Sequence, residues 1–189
     1  MDEACVRELI KLAEKDLSVR EKLASEGKLS NGYHPEMEQV HRQNAEKLRE
    51  IIGKIGFPTI SKVGDKASDA AWLIIQHSIG EPEFMKECYN MMIENRSDIN
   101  PLNIAYLYDR IQVFQSQPQK YGTQLTEERL PYPVESKNKL NEVRLKMNLK
   151  PFSQEEINRI PGIEKMAEID AKDAAYTAWR IKTGWILAP

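Results

Sequence analysis

The sequence has few of the residues that mark secreted or membrane-bound proteins. Only two of its 189 residues are cysteine, Cys5 and Cys88, and they lie far apart in the chain. Two isolated thiols favour a reducing compartment and provide neither a disulfide framework nor a zinc motif. No apolar run approaches the roughly 18 residues of a membrane span. The acidic start of the chain also lacks the basic and apolar regions of a secretory signal. We therefore expect a cytoplasmic protein without a membrane partner.

An excess of charge of one sign is also missing. The formal net charge is -2 and the isoelectric point is about 6.0. Because broad nucleic-acid surfaces are usually basic, this balance argues against a nucleic-acid partner. With 41% hydrophobic and 30% charged residues, the composition is that of an ordinary globular protein.

Most of the chain repeats its apolar residues at a spacing of three to four, which predicts helices. The fold class we expect is all-α, a single compact bundle of six to eight helices with one long ordered polar loop. The first helix is predicted to end before Gly27 and the Ser30-Asn31-Gly32 cluster. The predicted helices cover residues 3–24, 35–53, 69–77, 82–95, 101–117 and 136–147, a short segment after Ser153, and a last one after Gly162.

Residues 117–135 interrupt this pattern with three prolines and little periodicity, and they predict the polar loop, with a short hairpin as an alternative. We expect residues 1–152 to form a helical domain. Residues 153–189 are then a C-terminal helical extension, packed on that domain or on a partner.

His77 follows Gln76 at the end of an apolar helix pattern. Its face of the helix also carries Ala70, Leu73 and Ile74. Because burying an imidazole without a hydrogen bond is costly, His77 must have a partner. One interpretation is a structural histidine at a helix end, where the helix dipole favours its cation. The other is a general acid/base in a pocket, with Gln76 beside it in contact with the substrate.

Asp109 and Arg110 lie in a predicted helix with two apolar sides, which indicates a central position. The carboxylate of Asp109 should face protein and needs a partner there. It either belongs to a structural salt-bridge or capping network, or it orients a catalytic histidine. In the second case Arg110, about 100° further around the helix, binds an anionic or carbonyl group.

Tyr121, Gly122, Thr123 and Gln124 belong to a stretch that is dense in uncharged hydrogen-bonding side chains. Its glycine permits a positive φ or a close approach of the backbone. Since loops of this kind often position ligands, we predict that these four residues bind the substrate. An ordinary polar turn is the simpler alternative.

The three histidines, His34, His41 and His77, do not share a metal-binding spacing along the chain. A metal site of histidine and carboxylate ligands is the minor alternative, and we assign no metal ligands from the sequence. No cofactor motif is present either, and the cofactor stays unknown.

Four successive motifs resemble those of a bacterial family catalogued as domain of unknown function 6624. They are GFPT at 56–59, AWLIIQH at 71–77, AYLYDR at 105–110 and QKYGTQ at 119–124. Asp16 with Arg20 in the first helix also agrees, and the likeness covers about residues 5–152. The family usually carries tryptophan in the proline turn, where this chain has Phe57.

The resemblance brings no reaction, substrate or cofactor with it. It implies only that several of the candidate site residues stand at recurring positions of the family, namely His77, Asp109, Arg110, Tyr121, Thr123 and Gln124.

These observations lead to the hypothesis of a small enzyme, a hydrolase or group transferase acting on a small polar molecule or peptide. In it His77 is the general acid/base, Asp109 orients it, and Arg110 holds negative charge while the loop supplies hydrogen bonds. The rival hypothesis is a non-catalytic protein-interaction module. There the same polar cluster is structural, and the tail with Trp179 and Trp185 docks on a protein partner.

Overall fold

The computed structural model describes residues 2–29 and 32–188, and it confirms the all-α class. Over these residues the chain forms ten α-helices, two short 3-10 turns at Arg96–Asp98 and Ile163–Lys165, and no strand. The α-helices are α1 Glu3–Ser25, α2 Pro35–Ile55, α3 Ile60–Val63, α4 Asp65–His77, α5 Pro82–Glu94, α6 Pro101–Phe114, α7 Leu140–Lys146, α8 Gln154–Arg159, α9 Met166–Ala171 and α10 Ala174–Thr183.

The helix count exceeds the expected range because α3 and α9 are too short to show a periodic apolar pattern. None of the helices in the described residues has both the length and the apolarity needed to cross a membrane. Of the predicted break after the first helix, Ser30 and Asn31 lie outside the described residues. The chain divides into two compact units, residues 1–100 and 101–189.

In the first unit, α1 packs mainly against α4, and α2 contacts both helices. Asp2 caps α1 by accepting hydrogen bonds from the backbone N–H groups of Ala4 and Cys5. Pro35 begins α2, where its missing N–H costs nothing. The faces that these helices bury are apolar except for a few polar residues, among them Asp16 on α1, His41 and Asn44 on α2, and Gln76 on α4.

In the second unit, α6 is followed by an irregular loop that folds back on itself. An isolated antiparallel bridge pairs Leu125 with Pro131, as a short hairpin requires, whereas the bridge between Gln119 and Val134 is parallel. After the loop, α7 and α8 share a core in which Val134, Leu140, Ile157 and Ile160 are buried together. Residues on both sides of position 152 therefore contribute to one hydrophobic cluster.

The end of the chain packs on the end of α6. The ring of Phe114 lies 5.5 Å from that of Trp179 and 4.8 Å from that of Trp185. Trp185 is buried by this contact. The two tryptophans considered for docking on another chain thus pack within their own unit.

Candidate functional site

Three ionisable side chains from three helices meet in the first unit, and we call them the Asp16 cluster: Asp16 on α1, His41 on α2 and His77 on α4. His77 Nδ1 lies 2.9 Å from Asp16 Oδ1 in a hydrogen bond. His41 Nε2 lies 3.3 Å from Asp16 Oδ2. The centres of the two imidazole rings are 5.2 Å apart.

Helix geometry explains how these residues come together. Asp16 continues the buried stripe of Leu9, Leu12 and Ala13, so the packing of α1 carries its carboxylate into the interior. His77 is the last residue of α4, the helix on which α1 packs most closely. The apolar packing of α1 on α4 therefore fixes the positions of Asp16 and His77.

The carboxylate of Asp16 is fully buried but stays ionised. Burial by itself raises the pKa of Asp16, but the contacts with His41 and His77 outweigh it and hold the pKa at about 2. The cluster thus contains a buried negative charge at neutral pH, with one imidazole beside each carboxylate oxygen.

Tyr33 extends the cluster on the far side of His41. Its hydroxyl oxygen lies 2.7 Å from His41 Nδ1, and the two rings stack at 5.6 Å. Burial raises the pKa of Tyr33, so the hydroxyl keeps its proton. The order Tyr33, His41, Asp16, His77 forms a continuous line of polar contacts through the first unit.

His77 and Tyr33, at the two ends of this line, are both partly exposed. About one-fifth of the His77 side chain is exposed, whereas the side chains of Asp16 and His41 are at least nine-tenths buried. Among the described residues, the hydrogen bond of His77 runs through Nδ1 to Asp16. The Nε2 atom is left for a group outside the protein.

The carboxylate that is hydrogen-bonded to His77 is Asp16, whereas the sequence suggested Asp109 for this position. The hydrogen bonds of Asp109 go instead to its own loop, from the backbone N–H groups of Lys120, Tyr121 and Thr123 and from the Thr123 hydroxyl, at 2.8 to 3.2 Å. Burial raises the pKa of Asp109 to about 6 despite these bonds. The sequence showed that this carboxylate is buried, but not which partner it meets.

The remaining candidate residues of the second unit hold the loop together. Gly122 has a φ of +70°, and a Cβ there would lie 3.0 Å from the ring of Phe152. The carbonyl of Tyr121 accepts a hydrogen bond from Arg144 Nη1 at 2.5 Å. The Nε2 of Gln124 donates to the Thr123 hydroxyl at 3.1 Å. The loop is thus held by Asp109 on α6, by Arg144 on α7 and by hydrogen bonds among its own polar groups.

The predicted roles of Gln76 and Arg110, in binding the substrate and in holding negative charge, stay predictions. Gln76 is buried on α4 beside His77 in the chain, and Arg110 is half-buried on α6.

Sequence reasoning did not select His41, Tyr33 or Gln119, which the structure places within these polar networks. The amide of Gln119 is fully buried and bonds the carbonyl groups of Gln124 and Tyr132 at 3.0 and 2.9 Å. A signal existed for His41, since it follows the buried Val40 on the apolar side of α2. No signal showed which groups these side chains meet.

Acid should weaken the Asp16 cluster in a defined pH window. Because the folded-state pKa of Asp16, about 2, lies below its ordinary value of 3.8, the carboxylate stabilises the fold above about pH 4. That contribution, about 2 kcal/mol, is lost as the pH falls from about 4 to 2. We expect the unfolding free energy of Asp16→Asn, measured in urea, to be less pH-dependent in this window than that of the parent. Equal slopes would contradict the assignment.

A family model described as "Family of unknown function (DUF6624)" matches residues 4–160. The match extends the likeness noted in the motifs through α8. No curated protein and no solved structure matches the chain.

Proposed function

Since the chain belongs to the family of unknown function DUF6624, its activity must be argued from its site, and we propose that it is an enzyme. The proposed reaction is hydrolysis or group transfer on a small polar molecule or peptide. The Asp16 cluster is the reaction centre. The two cysteines, both buried and unpaired, support placing this enzyme in the reducing cytoplasm.

One observation carries the proposal: a partly exposed imidazole is held at Nδ1 by a buried carboxylate. The bond to Asp16 keeps the proton of neutral His77 on Nδ1. The lone pair is then on Nε2, which makes no hydrogen bond within the described residues, and general bases use such an arrangement. His77 takes a proton there from a water molecule or a substrate hydroxyl and returns it to the leaving group, while Asp16 stabilises the imidazolium formed in between.

The second oxygen of Asp16 supports this role. His41 approaches it, and Tyr33 fixes the other side of the His41 ring. The carboxylate is thereby prevented from rotating away from His77. We therefore assign His41 and Tyr33 as positioning residues and His77 as the residue that contacts the substrate.

Replacing His77 by alanine is the direct test. We expect kcat/KM to fall by about 10²- to 10⁴-fold, the usual contribution of a general acid/base. The measurement follows a screen of small esters, amides and phosphoesters with the full chain. His34→Ala is the matched control, because His34 caps α2 outside the cluster. Full activity in His77→Ala, or no turnover of any substrate class by the parent, would count against the proposal.

The rival function, a non-catalytic interaction module, draws on the second unit. There the polar groups of Asp109, Thr123 and Gln124 satisfy one another, as expected of a structural network. Activity separates the two functions in the first unit. Under either function, His77→Ala removes a hydrogen bond to the buried Asp16 carboxylate and should lower the melting temperature. Only a catalytic His77 gives a parent that turns over a substrate and a folded variant that does not.

A further inference from the structure

Two atoms of the Asp16 cluster are buried without a hydrogen-bond partner, Asp16 Oδ2 and His41 Nε2. They lie 3.3 Å apart, within ion-pair range but out of line for a hydrogen bond. Both side chains are at least nine-tenths buried, and both atoms point to the same place. A buried polar atom without a hydrogen bond destabilises the fold. We therefore expect a third group that interacts with both atoms.

The spacing of the ligand atoms matches what one metal ion requires. Zinc binds imidazole nitrogen and carboxylate oxygen at about 2.1 Å, so neighbouring ligands are about 3.0 Å apart at right angles and about 3.4 Å apart at the tetrahedral angle. His77 Nδ1 lies 2.9 Å from Asp16 Oδ1, and His41 Nε2 lies 3.3 Å from Asp16 Oδ2. One donor atom from each side chain lies within 4.8 Å of the others. A pair of donor atoms at that limit must approach by about 1.4 Å to reach the tetrahedral spacing, a movement that side-chain rotation supplies when the ion binds.

We propose that Asp16, His41 and His77 bind a single divalent transition-metal ion, with zinc as the best match. Two imidazoles and one carboxylate favour this class over magnesium and calcium, which prefer oxygen ligands. This metal site rests on the proposed function, which places the reaction centre at the Asp16 cluster. It changes the role of His77, which is a metal ligand when the ion is bound and the base when it is absent.

The surroundings suit the protonation states that metal binding demands. When His41 binds through Nε2, its Nδ1 must carry the proton, and the hydroxyl oxygen of Tyr33 at 2.7 Å accepts it. When His77 binds through Nδ1, its Nε2 must carry the proton, and about one-fifth of this side chain is open to water. Each ligating ring therefore has an acceptor for its second nitrogen, Tyr33 in one case and water in the other.

Three protein ligands leave positions on the ion for a water molecule and a substrate. Zinc lowers the pKa of a bound water towards neutrality, so the water loses a proton to solvent and becomes a hydroxide nucleophile. In hydrolysis its oxygen forms the new bond to the acyl or phosphoryl centre. The bond to the leaving group breaks, and a proton from solvent completes that group.

Metal binding can be measured without any activity. We expect chelator-treated full chain to bind one equivalent of Zn²⁺ in calorimetry. Co²⁺ should produce visible absorption bands that saturate at one equivalent and disappear when Zn²⁺ is added. Mg²⁺ and Ca²⁺ should give no comparable binding. Absence of one-equivalent binding by both Zn²⁺ and Co²⁺ would overturn the proposal, and this result needs no variant.

Variants then locate the site. His77→Ala and His41→Gln should weaken Zn²⁺ binding by about 100-fold or more, and Tyr33→Phe by about 10-fold, as expected for an outer partner. His34→Ala, which removes the one histidine outside the cluster, should bind as the parent does. Unchanged binding in either ligand variant, or an equal loss in His34→Ala, contradicts the assignment. Circular dichroism confirms that each variant is folded.

The outcomes separate this proposal from the proposed function. If His77→Ala abolishes turnover while the parent binds no metal, His77 is a base and the metal site is wrong. If the metal binds at the cluster but no substrate is turned over, the site stands and the enzymatic proposal fails.

Discussion

Replacing Asp109 by alanine is expected to lower the free energy of unfolding by about 3–5 kcal/mol. The carboxylate accepts hydrogen bonds from the backbone of Lys120, Tyr121 and Thr123 and from the Thr123 hydroxyl. Alanine removes all of these acceptors at once. Each donor that stays buried without a partner costs about 1–3 kcal/mol, and the loop can recover only part of this by opening to water.

Urea denaturation followed by tryptophan fluorescence measures this effect. Asp109→Asn is expected to be almost as destabilising, because its amide offers one acceptor oxygen and turns an NH₂ group towards the remaining donors. Glu135→Ala is the matched control, since its exposed carboxylate accepts one hydrogen bond from Tyr108. We expect it to stay within about 0.5 kcal/mol of the parent. A loss below 1 kcal/mol in Asp109→Ala would show that the loop does not depend on this carboxylate.

The helices were predictable because local signals mark both their faces and their ends. Pro35 and Pro82 begin α2 and α5 where the sequence predicted, since proline is compatible with the first turn. The short segment predicted after Ser153 is helix α8, and a capping box formed by Ser153 and Glu156 marks its start. Helix α4 begins at Asp65, four residues before the apolar run that predicted it, because its first turn is mostly polar. The periodicity of apolar residues therefore detects the helix but misses a first turn made of polar residues.

The burial of the site residues could also be predicted, but not their pairing. Asp109 lies in a helix that is apolar on two sides, and the structure does bury it completely. The pairing of His77 with Asp16 is set by the packing of α1 on α4, which joins residues 61 positions apart. The sequence predicted a buried carboxylate only at Asp109, and no local pattern marked Asp16 as the partner of His77. Only the tertiary packing selects this pairing.

The sequence also did not predict metal ligands, because the candidate ligands meet only through tertiary packing. Spacing rules detect ligands that lie close together on one helix or loop. His41 and His77 come from different helices, and the third candidate ligand, Asp16, comes from another. A site assembled from one residue of each of three helices leaves no local pattern in the chain.

Replacing Arg180 by alanine is expected to cost about 3–5 kcal/mol and to loosen the end of the chain. Arg180 is the largest fully buried side chain among the described residues. Its Nη1 donates to Asp170 Oδ2 at 3.1 Å and to the Ser116 hydroxyl at 2.8 Å, and its guanidinium lies 4.6 Å from the ring centre of Tyr176. Alanine removes these contacts and leaves Asp170 as a buried charge without its cation.

A double-mutant cycle tests whether that stranded charge is the main cost. If it is, Arg180→Met with Asp170→Leu should destabilise the protein much less than the two single changes added together, because no charge is left unpaired. Lys182→Ala, an exposed cation on the same helix, is the control and should be nearly neutral. Additive losses in the cycle would mean that the packing of the arginine side chain, not its charge, holds α9 and α10 to the end of α6.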